Sequence, residues 1–290
     1  MAESSIQSFN HLKIHTQYSI CEGAVKIDDL QDFSKSNKIK SLALCDTSNL
    51  CGALEFAEKI SKVGTQPIIG TQINFKFGDT VGLLPLFSLN EEGYKRIIKL
   101  SSLSFLENDE LSDPHVDFNN LLENNEGVSI FSGTTFGLFG ELFNKGKFSE
   151  IHDLYKSLNS TFGDRFYIEV QRHNDQNELG FEKFNLNKSL ELKIPVIATN
   201  EVFYINQDMH EAHDALICIG NKTYINEKNR KRFSNQHYFK SNAEMSELFA
   251  DLPEALENNY NFPLRCNFRP QFSNPILPNI SSEKGGNADD

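Results

Sequence analysis

Positive charge is scarce in this chain. Its 290 residues carry 28 Lys and Arg against 40 Asp and Glu, a formal net charge of −12. So acidic a chain is not, as a whole, a nucleic-acid clamp, because the polyanion repels it. A local basic face stays open, and NRKRF at residues 229–233 is the one basic cluster. It is expected to be a solvated loop rather than a phosphate contact. Cysteine is also sparse. Cys21, Cys45, Cys51, Cys218 and Cys266 are odd in number, scattered and without CxxC spacing. That argues for reduced thiols in or near a core over a zinc site or a disulfide framework. No apolar run is long enough to span a bilayer, and no basic-then-apolar signal opens the chain. A cytoplasmic chain with no membrane partner is expected. Nucleotide-binding loops are missing too: the glycines of GTTFGLFG (residues 133–140) have neither a P-loop lysine nor GxGxxG spacing. Tryptophan is absent, but 24 Phe and a hydrophobic content of 39% are enough for a real core.

What is present is an alternation. Short apolar runs at residues 11–14, 41–45, 67–75, 83–89, 128–131, 166–170 and 196–199 predict seven strands. Helical spacing follows most of them. One helix begins at Asp28 as N-cap and runs through Leu30 and Phe33; others cover 54–63, 91–103, 148–162, 179–192 and 209–219. Strands apolar on both faces, separated by amphipathic helices, predict a parallel sheet covered by helices. Seven such units suggest a closed or distorted barrel, whose chemistry gathers at the C-terminal ends of the strands. The residues there are His15, Thr16, Asp46, Thr47, Thr71, Gln72, Ser88, Ser132, Gly133, Gln171 to His173, Asn200 and Glu201. The ring is polar but poor in metal ligands. Beyond about Gly220 the chain turns basic and turn-rich. A capping box follows at Ser241 and Glu244, then a helix opened by Pro253.

Two other histidine groups have plain structural readings. His210 and His213 lie at i, i+3 on a helix, one residue short of HExxH spacing. His213 is expected to cap or pack against the barrel wall, and His210 to face solvent. Arg172 and His173 are either a phosphate or partner contact or a satisfied polar pair of the loop.

The pieces HLKIHTQYSICEGA, ALCDTSNLCGALEF, QPIIGTQINF, NEEGYKRIIKLSS, RFYIEVQRH and PVIATNEVFYINQDMHEAHDALICI occur in this order, followed by QHYFKSNAEMSELFADLPEALENNYNFPLRC. On these the chain resembles the PHP domain (polymerase and histidinol phosphatase) at the N-terminus of bacterial replicative DNA polymerase III alpha subunits. The resemblance implies a distorted seven-stranded (β/α) barrel, in agreement with the strand count. It implies a barrel core over 1–220, a C-terminal segment with helices leading to the polymerase body over 221–270, and a poorly ordered linker over 271–290. Intact members hold metal ions at the strand ends and use them to activate water for phosphoester hydrolysis.

Carried over position by position, that ligand pattern is broken. The first His of the HxH pair falls on Lys13, and His15 keeps the second. Glu22 replaces an Asp, Asp46 is kept, and Thr47 stands where His is expected. Gln72 replaces an acid, Leu83 a His, and Ser132 is all that the region after Phe131 offers. Glu201 and Phe203 stand for the last Asp-x-His pair. A lysine, a leucine and a phenylalanine cannot ligate at neutral pH. The vestigial positions are therefore His15, Glu22, Asp46 and Glu201, and the lost ones Lys13, Thr47, Gln72, Leu83 and Phe203. Ser132, Arg172, His173 and Asn200 are left as candidates to line the pocket. Lys13 is expected to stand in for a metal's charge by pairing with Glu22 or Glu201.

No catalytic residue, metal or other cofactor is expected. The resemblance implies a scaffold whose partners are the proofreading exonuclease subunit and the remainder of the alpha subunit, with DNA reached only through the full-length polymerase. The polymerase active site itself is not in these residues. The alternatives are a residual metal-dependent phosphoesterase or exonuclease and, more weakly, a DNA-binding module.

Overall fold

A computed structural model describes residues 8–108 and 112–273. Of the expected linker over 271–290, residues 274–290 lie outside the described residues. Among the described residues, nine strands form one sheet. They are β1 (His11–Ile14), β2 (Ser41–Thr47), β3 (Gln66–Phe77), β4 (Thr80–Ser88), β5 (Val116–Asp117), β6 (Val128–Phe131), β7 (Phe166–Val170), β8 (Val196–Ala198) and β9 (Glu201–Val202). Their order is β8-β7-β6-β4-β3-β2-β1-β9, with β5 paired to β3 off this path.

The two ends of the path are consecutive in the chain. β8 pairs with β7, and two residues later β9 pairs with β1 through Lys13↔Glu201 and Ile14↔Val202. The sheet therefore curls until its ends meet along residues 196–202, and the expected distorted barrel is what forms. All seven expected strands are present. The last is split at Thr199 and Asn200, and the two-residue β5 was not anticipated.

The sheet is not wholly parallel, and here the expectation is corrected. β4 runs antiparallel to both β3 and β6. Residues 77–80 turn too tightly for a crossover helix, with Phe77 opposite Thr80 and Gly78 at φ +58° between them. A hairpin of this kind favours glycine where φ is positive. The reversal has a functional consequence: Ser88 ends β4 at the bottom of the barrel, and Leu83 near its start is at the mouth. Ser88 thus leaves the expected mouth ring and instead donates to the Ile69 carbonyl at 3.1 Å.

Inside the barrel, each of its seven walls contributes to one buried cluster that includes Leu12, Ala43, Ile68, Phe87, Phe131, Tyr167 and Ile197. Outside, helices Ile27–Asn37 and Ala53–Lys62 cover β1 to β3, and helices Leu138–Asn144, Phe148–Phe162 and Glu178–Leu192 cover the other wall. The first helix starts at Ile27 behind Lys26, not at Asp28, so Asp28 lies in its first turn, where it still faces the positive end of the helix dipole. The capping box of Ser241 and Glu244 forms as expected.

The bottom is sealed by residues 253–266. Phe262 packs edge-on against Phe131 and Phe87 at centroid distances of 5.1 and 5.5 Å. Asn259 accepts from the Asn10 amide at 2.8 Å and donates to the Asn10 and Ala198 carbonyls at 2.9 and 3.0 Å. The five cysteines are free, and Cys51 is exposed rather than near the core.

Candidate functional site

At the barrel mouth Lys13 is buried to 1% exposure. Its Nζ lies 3.1 Å from Glu201 Oε1 and 3.6 Å from Glu169 Oε1. The neighbouring register of β1 and β9 places Lys13 beside Glu201, and Glu169 reaches in from β7. Glu22, the other expected partner, is not in contact with Lys13. It accepts from the Thr47 hydroxyl and lies 3.7 Å from Lys231.

Burial works against the charge of Lys13, but Glu169 and Glu201 outweigh it and raise its pKa above the usual lysine value. Burial likewise opposes the charge of Glu201, yet Lys13 and His15 hold its pKa well below the usual carboxylate range. Glu169 moves the other way: burial raises it, and the more distant ammonium offsets this only in part. One ammonium between two buried carboxylates favours the nearer. Glu169 also accepts from Gln171 at 2.8 Å and from the Thr199 hydroxyl.

The vestigial ligands are taken up by donors of the chain itself. His15 Nε2 is 3.0 Å from Glu201 Oε1, and its ring stacks on Phe203 at 4.5 Å. Asp46 accepts from the Thr16 amide at 2.6 Å, the Ser19 hydroxyl at 2.7 Å and the Thr16 hydroxyl at 2.8 Å. Burial raises the Asp46 pKa, and these three donors pull against the rise. Gln72 donates to Thr47 Oγ1 at 3.2 Å. A metal ion at this mouth would meet the Lys13 ammonium and the faces of Phe203 and Leu83. The donor set does not fit a metal centre.

Glu22, Gln72, Leu83, Glu201, Phe203 and Phe233 line one small cavity of about 30 Å³, room for about a single water. Thus two vestigial positions and three lost ones share one pocket. The four candidate lining residues are not among its lining. Ser132 accepts from the Glu169 amide at 2.9 Å. Arg172 turns outward, in bidentate contact with Glu182 and with Asp251 at 2.6 to 3.0 Å. It ties β7 to the C-terminal segment. Asn200 donates to the Tyr238 carbonyl at 2.9 Å and accepts from Lys240 at 3.0 Å. His173 is buried beside His237, their rings parallel and 4.1 Å apart.

His213 packs as expected, with Nε2 2.8 Å from the Glu22 carbonyl and its ring against Phe203. His210 does not simply face solvent: its Nε2 is 3.1 Å from the Phe233 carbonyl. The basic cluster is not a free loop. Arg230 holds Asp214 in a bidentate pair at 2.6 and 2.7 Å, and Lys231 lies over the Phe233 ring beside Glu22. Sequence reasoning missed Glu169, Asp175, Phe233 and His237. For Glu169 a signal existed: it is the single acid in the apolar strand FYIEV. For the others the contacts span tens of residues of chain, and no local pattern announces them.

Among curated proteins, the DNA polymerase III subunit alpha of Caulobacter vibrioides is 36% identical over 295 residues, covering 99% of this chain and 26% of its own length. The subunit of the same name from Rickettsia conorii is 38% identical over 279 residues, covering 95% of this chain and 23% of its own. The chain therefore spans about a quarter of the length of these relatives. Among solved structures, an amidohydrolase from Chromobacterium violaceum superposes on 68% of this chain and 88% of its own with a TM-score of 0.46 at 10% identity. The PHP domain model matches residues 11–173, more than half of the chain, along the strands that build the mouth from β1 to β7. The chain belongs to the PHP domain family.

Proposed function

We propose that this chain is the PHP domain of a bacterial replicative DNA polymerase III alpha subunit and that it serves there as a scaffold without hydrolytic activity. Its role is to stabilise the polymerase and to dock the proofreading exonuclease subunit. The observation that supports the loss of hydrolysis is the buried ammonium of Lys13 between Glu201 and Glu169. A hydrolytic metal needs three or more free donors and an open position for water. Here the carboxylates already answer to Lys13, Thr16, Ser19 and Thr47. The remaining cavity is too small for a nucleotide. The rest of the alpha subunit is the second partner, and DNA is reached through it, in keeping with the acidic charge of this chain. The cytoplasm is the proposed compartment; among the described residues no helix is long and apolar enough to cross a membrane.

The test is hydrolysis of a generic phosphoester and of single-stranded DNA with added Mn²⁺ or Zn²⁺. The expected rate is that of the metal in buffer. Hydrolysis that vanishes in Glu201→Gln would establish a residual phosphoesterase and end the scaffold reading. Docking is checked separately, by sedimentation of the folded chain with the exonuclease subunit. Co-sedimentation is expected, and independent boundaries at micromolar concentrations would remove that part.

A further inference from the structure

Beside the Lys13 cluster lies a second group of ligand-type side chains. Among the described residues it is the group in which three or more His, Cys, Asp and Glu bring ligand atoms within 4.8 Å of one another: His173, Asp175 and His237. Two parts of the chain build it. His173 and Asp175 stand in the loop after β7, and His237 stands in the segment that runs beside residue 204. The side chains of His173 and His237 are each 1% exposed, and that of Asp175 is 7% exposed.

Each ring has a tautomer that turns a lone pair inward. His237 Nδ1 lies 3.3 Å from the Glu201 carbonyl and Nε2 2.8 Å from Asp175 Oδ2; in the tautomer that donates from Nδ1 to the carbonyl, Nε2 and Asp175 Oδ2 meet as two lone pairs that one cation would join. A ring nitrogen anchored on a backbone carbonyl while the other meets the ion is the usual outer support of a metal-bound histidine. His173 Nε2 lies 3.1 Å from Asn200 Oδ1 and 3.2 Å from the Glu201 amide nitrogen; in the tautomer that donates to Asn200, the lone pair is on Nδ1. Its Nδ1 is buried without a hydrogen-bond partner, 3.5 Å from Glu178 Oε1. An orphaned buried polar atom is costly and calls for a partner.

Charge points the same way. Asp175 has only His237 within ion-pair distance, and Glu178 only His173. The nearest guanidinium, Arg172, is turned to Glu182 and Asp251. Two carboxylates and two imidazoles thus face one another with no lysine or arginine in contact.

We propose that His173, Asp175 and His237 form a divalent transition-metal site, of the kind that takes Zn²⁺, fastening the loop after β7 to the segment around residue 237. Two imidazoles and one carboxylate are a zinc-type set, with the fourth position open to water or to Glu178. The parallel imidazole rings do not yet converge on one point. Binding turns one of them about its Cβ–Cγ bond and breaks the stack. This site shares no side chain with the Lys13 cluster, and it stands whether or not the scaffold reading does.

The probe is Co²⁺ alone, followed by Zn²⁺, added to the purified chain after chelator treatment. One Co²⁺ per chain is expected, with tetrahedral d–d absorption and no thiolate charge-transfer band. Zn²⁺ should displace it and raise Tm by several degrees. His237→Gln and Asp175→Asn should each abolish the absorption while circular dichroism stays native, and Cys51→Ser should leave it unchanged. If His237→Gln fails to fold, Asp175→Asn decides, because Asp175 sits in a half-buried loop. Absence of saturable binding, a thiolate band, or binding unaltered in Asp175→Asn each overturns the proposal.

Discussion

Lys13 is among the largest fully buried side chains of the protein. A buried ammonium is tolerated only where carboxylates compensate it, and removing one member of such a set strands the others. Lys13→Met should therefore lower stability by about 3–5 kcal/mol, read as the urea midpoint at unchanged slope. An unchanged midpoint would mean that Glu169 and Glu201 need no cation. His11 makes a second prediction. It is buried and neutral, 2.9 Å from the Lys240 carbonyl and 3.4 Å from the Asn200 amide nitrogen. Burial lowers its pKa to about 3, with the nearby Lys240 ammonium adding to the fall and Glu244 opposing it. The unfolded chain then binds a proton below about pH 6.5 that the folded chain refuses. Stability should fall as pH drops, by about 2 kcal/mol from this one group between about pH 7.5 and about pH 5. His11→Gln should flatten that part of the stability curve, and an identical acid limb in the variant would count against the assignment. At this scale the losses at Lys13, Thr47 and Phe203 could be read from sequence, because they interrupt a pattern of fixed spacing. Of the partners of Lys13, Glu201 was among those expected, and Glu169 was not. Glu169 lies far along the chain, and only the curl of the sheet brings it within 3.6 Å.

Elements were legible where pattern and end signals agreed. Helix Phe148–Phe162 shows the expected boundaries, with Ile151, Leu154, Tyr155 and Leu158 buried on one face. Helix Asn242–Leu248 is announced by its capping box, in which Ser241 accepts from the Glu244 amide and Glu244 accepts from the Ser241 amide. Ser241→Ala should cost about 1 kcal/mol, measured by chemical denaturation; no loss would show that tertiary contacts alone hold this helix. Strand direction was the failure. The apolar runs of β3 and β4 look the same whether paired parallel or antiparallel, since period and composition do not encode direction. The short link around Gly78 was the available sign, because parallel neighbours need a crossover of a dozen or more residues.

In the whole molecule, the C-terminal segment closes the barrel from below. Phe262 fills the floor that Phe87, Phe131 and Tyr167 leave open, and Arg265 reaches Asp164 and Tyr167. Phe262→Ala should destabilise the fold by about 3–5 kcal/mol, seen as a lower Tm, and a wild-type Tm would show that the floor collapses onto the gap. The amino-acid sequence by itself determined the fold class, the number of barrel walls and the interruption of the ligand pattern. The first two rest on apolar periodicity, which acts locally along the chain, and the third on the resemblance to the PHP family. Only the tertiary structure decided the reversal of β4, the choice of Glu169 and Glu201 as partners of Lys13, and the meeting of His173 and Asp175 with His237. Those contacts join residues distant in sequence, and their geometry exists only once the sheet has curled and its ends have met.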